Sequence, residues 1–140
     1  MPARRAYSAT TAARQASGLH LIGDLHGCLS GGDLMHDTQA LQAFCHQQVT
    51  AAGLTPVGQL FHGFEEGGGV TGVVVLAESH LSVHTWPESG YVTLDVYVCN
   101  YSADNRDKAQ ALFDGIVAAF HPQEQQVQRI ERGCSLRPFT

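Results

Sequence analysis

Positive charge is scarce in this sequence. Eight Lys and Arg stand against thirteen Asp and Glu, a net charge of −5, and no segment carries a basic stripe. Nucleic-acid binding draws much of its free energy from Lys and Arg on phosphates, so no nucleic-acid partner is expected. Long apolar runs are also missing: none approaches the ~20 residues of a membrane helix, and no membrane partner is expected. The four cysteines, Cys28, Cys45, Cys99 and Cys134, are far apart and form no C-x-x-C pair. That removes the sequence signal of a zinc ribbon or redox motif. The N-terminal segment lacks the apolar stretch of a secretory signal. A cytoplasmic location with reduced thiols is the expectation.

What is present describes one globular domain. The 140 residues are 44% hydrophobic and 15% charged, enough to bury a core without disulfides. Residues 1–17, rich in Ala, Ser, Thr and Arg with no acid, are expected to be a disordered tail. Residues 18–133 form the domain, and 134–140 a C-terminal tail. Gly18 to Gly27 reads as a strand. Ser30-Gly31-Gly32-Asp33 offers a turn and a helix N-cap. From Leu34 through Leu41, Phe44, Cys45, Val49 and Ala52 the spacing predicts an amphipathic helix that Gly53 closes. Thr55–Phe64 and Val70–Ala77 read as strands joined through the Glu65–Gly69 turn. In Tyr91–Cys99, Val92, Leu94, Val96 and Val98 share one face, and Tyr91, Thr93, Asp95, Tyr97 and Cys99 the other. Asp104–Phe120 reads as a second helix, ended before Pro122. Gln125–Glu131 alternates poorly but completes the order as a last strand. The fold class expected is α+β: a two-layer sandwich, an antiparallel sheet with two helices on one face.

One stretch organises the rest. The apolar run Val73-Val74-Val75-Leu76 reads as a buried strand, and at its end the sequence switches to Ala77-Glu78-Ser79-His80-Leu81-Ser82-Val83-His84-Thr85-Trp86-Pro87-Glu88. Ser79 and His84 are thus expected at the end of a buried strand. Polar groups brought there must be satisfied or used. A metal would need a third ligand beside His80 and His84, with Cys99 or Glu88 as candidates, but no recognised ligand spacing is present and no metal is expected. A serine hydrolase would use Ser79 with His84 or His80, yet no G-x-S-x-G elbow surrounds the serine. A third chemistry fits more of the stretch. The Ser79 hydroxyl attacks the carbonyl of Glu78, the peptide bond becomes an ester, and elimination followed by hydrolysis leaves a pyruvoyl group at residue 79. Such a carbonyl is an electron sink able to decarboxylate an amine through a Schiff base.

The run Glu78-Ser79-His80-Leu81-Ser82-Val83-His84-Thr85-Trp86-Pro87-Glu88 closely resembles the bacterial S-adenosylmethionine decarboxylase family of pyruvoyl enzymes. So do Gly18-Leu19-His20-Leu21, Gly27-Cys28, Phe61-His62-Gly63-Phe64, Val70-Thr71-Gly72-Val73-Val74-Val75 and Asp95-Val96-Tyr97-Val98-Cys99. The resemblance covers Gly18 to Gly133. It implies a proenzyme that cuts itself between Glu78 and Ser79 and carries a pyruvoyl cofactor made from Ser79. It implies that His84 abstracts a proton in processing, assisted by a hydroxyl at Thr71, where many members have serine. Cys99 would protonate the substrate carbon after carbon dioxide leaves, Phe64 stack on adenine, and Glu88 bind the ribose hydroxyls. It further implies a homodimer with sites shared between protomers, a small-molecule substrate, and a product that donates aminopropyl groups for spermidine. Two rivals are a relative that decarboxylates ornithine or arginine, with Asp24, Glu65 or Glu66 receiving the distal cation, and a non-catalytic regulatory paralogue.

Overall fold

Period-two alternation decides which face of each strand is buried. The computed structural model describes residues 17–65, 67–101 and 103–133. Six strands, β1 (Gly18–His26), β2 (Pro56–Gly63), β3 (Val70–Leu76), β4 (Ser79–Trp86), β5 (Tyr91–Cys99) and β6 (Glu124–Arg132), form one sheet in the order β2-β3-β4-β5-β1-β6. Every neighbouring pair is antiparallel. Leu19, Leu21 and Leu25 of β1, Leu81 and Val83 of β4, and Val92, Leu94, Val96 and Val98 of β5 are buried on one face. They meet Leu41, Cys45 and Val49 of α1 (Thr38–Ala51) and Leu112, Phe113, Ile116 and Phe120 of α2 (Arg106–Phe120). Each such large side chain contributes about 1.5–3 kcal/mol when fully buried. The expected two-layer α+β sandwich is the fold observed.

Three local expectations are corrected. Helix α1 is capped by Asp37, whose side chain accepts a hydrogen bond from the Ala40 N–H at 3.1 Å, and not by a residue of Ser30–Asp33. Gly32–Met35 forms a separate 3-10 turn that contains Leu34, because Asp37 supplies the acceptor the first helical N–H groups need. Helix α2 starts at Arg106, since Asp104 accepts from the Arg106 N–H and so stays outside the helix. The largest correction concerns Ser79 and His84. They do not end the buried strand β3. Ala77 and Glu78 form a tight turn, and Ser79 opens a new strand in which Leu81, Val83 and Thr85 are buried. The abrupt polar switch is a hairpin reversal followed by a fresh period-two pattern.

Gly53, at φ +84°, closes α1 as the sequence predicts. Strand β6 is exposed along its whole length. It is an edge strand, which accounts for its weak alternation. The N-terminal tail apart from Ser17, the C-terminal tail with Cys134, and Glu66 lie outside the described residues. Among the described residues no helix covers the second face of the sheet, which carries His20, His80, Ser82, His84, Asp95 and Tyr97, all partly exposed.

Candidate active site

The site residues expected from the sequence fall into two groups at opposite ends of β4. At its start, Glu78 ends the β3–β4 turn and Ser79 begins the strand. The turn is tied down where the Ala77 N–H donates to the Thr55 carbonyl at 3.1 Å. Ser79 Oγ accepts from the Cys99 N–H at 3.2 Å, which brings the last residue of β5 against the serine. The Cys99 carbonyl accepts from Asn105 Nδ2 at 2.8 Å, so the N-terminus of α2 buttresses the same corner. Glu78 Oε2 is buried with no hydrogen-bond partner among the described residues.

At the other end, Thr71 of β3 pairs directly with His84 of β4, and Thr71 Oγ1 lies 3.2 Å from His84 Nδ1. Phe64, Thr71, His84, Thr85, Trp86 and Glu88 line a cleft of about 300 Å³. Phe64 presents an exposed ring, edge-on to His62 at 4.9 Å. Trp86 lies 6.0 Å from His84. Below the cleft, Thr85 Oγ1 accepts from the Val70 N–H at 2.8 Å and donates to the Met35 carbonyl at 2.7 Å. Gly69 passes so close to the Thr85 carbonyl that a Cβ has no room there. The turn after Phe64 is closed by the Phe64 N–H donating to the Gly69 carbonyl at 2.9 Å.

His84 lies five positions from Ser79 along β4, roughly 17 Å at the rise of a strand. A base must come within about 2.6–3.2 Å of the proton it takes. Within one chain, therefore, Glu78, Ser79 and Cys99 come together, and Phe64, Thr71, His84 and Glu88 come together, but the two groups do not meet.

Between them lies a polar cluster that sequence reasoning missed. Asp95 of β5 receives His20 Nε2 from β1 at 2.9 Å and His80 Nε2 from β4 at 3.1 Å on one oxygen, and the Ser82 hydroxyl on the other. Burial pushes the Asp95 carboxyl up, but these hydrogen bonds outweigh it and hold the group below its ordinary range. The only signal in the sequence is polar residues at alternate positions of three strands; their adjacency depends on the strand order. His20, His80 and Asp95 also form a candidate metal cluster, but the donor set suits hydrogen bonding. Arg132 Nη1, which can only donate, lies 3.4 Å from His20 Nδ1. His20 Nδ1 therefore accepts and Nε2 carries the proton that Asp95 receives, leaving no lone pair there for a metal. His80 and His84, four positions apart, are roughly 13 Å apart and cannot share an ion within one chain.

A family model described as S-adenosylmethionine decarboxylase matches residues 19–133. The chain is 34% identical over 122 residues to the S-adenosylmethionine decarboxylase proenzyme of Picrophilus torridus, covering 87% of this chain and 88% of that protein. It is 37% identical over 116 residues to the proenzyme of the same name from Aquifex aeolicus, covering 83% and 81%. The crystal structure of adenosylmethionine decarboxylase from Aquifex aeolicus superposes with a TM-score of 0.75 at 33% identity, over 89% of this chain and 97% of that one.

Proposed function

The chain belongs to the S-adenosylmethionine decarboxylase family and is a decarboxylase of S-adenosylmethionine; we propose that it matures by cutting itself between Glu78 and Ser79 and acts as a homodimer whose two sites are each built from both copies. The observation that carries the shared site is the separation of the two groups along β4. One copy supplies Glu78, Ser79 and Cys99, and the other supplies Phe64, Thr71, His84 and Glu88. The sheet face bearing the polar cluster, which no described helix covers, is the surface that a second copy would bury. A two-fold dimer presents the same face twice, so both sites are completed at once.

In maturation the Ser79 hydroxyl adds to the Glu78 carbonyl, and the C–N bond gives way to an ester. His84 of the other copy, steadied by Thr71, takes the Ser79 Cα proton. The Cβ–Oγ bond then breaks, and Glu78 leaves as a carboxylate. Water replaces nitrogen at residue 79 and ammonia departs, so the sequence consumes one water and involves no oxidant. The pyruvoyl carbonyl so formed supplies the electron sink for decarboxylation. Phe64 offers its exposed ring to adenine, and Glu88 accepts from the ribose hydroxyls. The thiol of Cys99, on the open face beside Ser79, returns a proton to the substrate carbon.

Intact mass spectrometry of the purified wild type tests the maturation. Two fragments are expected, the larger-numbered one lighter by one ammonia than a serine-ended chain, while Ser79→Ala stays whole. Carbon dioxide release is then measured from S-adenosylmethionine, ornithine and arginine in parallel. Cutting by Ser79→Ala, or turnover of only the basic amino acids, would refute this reading.

A further inference from the structure

Beside the scissile bond, on the helix side, lies a second cleft of about 150 Å³, lined by Gly53, Thr55, Glu78, Ser79, Asn105 and Lys108 among others. We propose that this cleft is a docking site for the carboxylate created at Glu78 by cleavage, and that Lys108 holds it there. The proposal rests on the self-cleavage reading above.

Lys108 is the only lysine in the chain. It sits in the first turn of α2, the positive pole of the helix, where a cation is disfavoured and an anion favoured. Among the described residues it makes no ion pair. Its stem lies against Gly53, where even a methyl group would come within 3.5 Å of Cε. The same cleft is lined by Glu78, whose Oε2 is already a buried acceptor without a partner among the described residues. Cleavage turns the neutral carbonyl of Glu78 into a second carboxylate next to the first. Two anions in a half-buried cleft repel, and the new chain end would swing away unless a cation met it. Lys108 and the helix pole are the positive groups that line this cleft. Retention matters because the freed end is adjacent to the residue-79 carbonyl that must receive substrate.

The test compares Lys108→Met and Lys108→Arg in two backgrounds: the self-cleaving chain and the uncut Ser79→Ala chain. In the cleaved protein, Lys108→Met should lower the melting temperature by roughly 2–8 °C, about what the loss of one charge-assisted contact gives in a domain of this size. Lys108→Arg should recover most of it. In the Ser79→Ala background Lys108→Met should leave it unchanged or raise it, because the helix pole disfavours a cation, and Lys108→Arg should leave it unchanged. Carboxypeptidase treatment of the folded, cleaved protein, followed by intact mass, should trim Glu78 and Ala77 several-fold faster in Lys108→Met than in wild type. Equal trimming and equal melting temperatures in the cleaved proteins would overturn the proposal. So would an equal fall in the Ser79→Ala background, which would make Lys108 a general stabiliser. A wild type that never cuts removes this proposal and the self-cleavage reading together; a wild type that cuts, with no effect at Lys108, removes this one alone.

Discussion

If His84 of one copy serves Ser79 of the other, an uncut Ser79→Ala chain should rescue cutting of an uncut His84→Ala partner. His84→Ala keeps a cleavable serine but lacks the base. Ser79→Ala keeps the base but cannot cut. The reason is distance: roughly 17 Å of extended strand separates the two residues in one chain, whereas the Thr71 contact at 3.2 Å fixes His84 at the far end. Alone, His84→Ala should process about 10²–10⁴-fold slower than wild type, the usual loss on removing a general base. In a randomly mixed two-fold dimer at equal expression, about half of the His84→Ala chains have a Ser79→Ala partner. Those chains should cut at the wild-type rate, and the Ser79→Ala chains not at all. Co-expression with two different tags, purification of the mixed dimer through both, and denaturing electrophoresis read this directly. In the doubly purified dimer nearly all of the His84→Ala chain should appear as two fragments. If it stays whole while wild type cuts, His84 does not act across the dimer, and the shared-site proposal fails.

Other outcomes follow from individual contacts. Thr71→Ala should slow processing, and Thr71→Ser should restore it, because only the hydroxyl 3.2 Å from His84 Nδ1 is needed; timed gels of freshly made protein check this. Cys99→Ala should still cut, since its contact with Ser79 Oγ is through the main-chain N–H, yet release carbon dioxide at least tenfold more slowly, in line with the loss of a general acid. Thr85→Val leaves the Val70 N–H and Met35 carbonyl buried without their partner, and each unmet group costs about 1–3 kcal/mol, measurable as a lower urea midpoint. Asp95→Asn should be less stable than wild type at neutral pH. The folded Asp95 carboxyl is held below its ordinary 3.8, so its contribution is fully present above that value and is lost as pH falls through the lower folded one. The gap in denaturant midpoint between the two proteins should therefore close in acid; a gap that persists unchanged would remove the charge from the explanation.

The amino-acid sequence by itself determines a good part of this fold. The Val92–Val98 alternation, the two helical stripes and the Gly53 stop depend on neighbours along the chain, and local periodicity is where physical preference and sequence coincide. The long run from Glu78 to Glu88 points to the family because its residues are contiguous. The hairpin at Ala77 and Glu78 is hidden for a related reason: an apolar strand followed by polar groups looks the same whether the chain ends a strand or reverses and starts another.

Adjacency across the sheet is decided only by the tertiary structure. His20 and Asp95 are remote in sequence, yet they face one another because β1 pairs with β5. Thr71 reaches His84 because β3 and β4 are in that register. The same strand that joins Ser79 and His84 in sequence holds them apart in space. An extended backbone advances by about 3.3 Å per residue, so closeness along a strand is distance across a site, and only the packing of strands, or of a second chain, brings the two ends of the chemistry together.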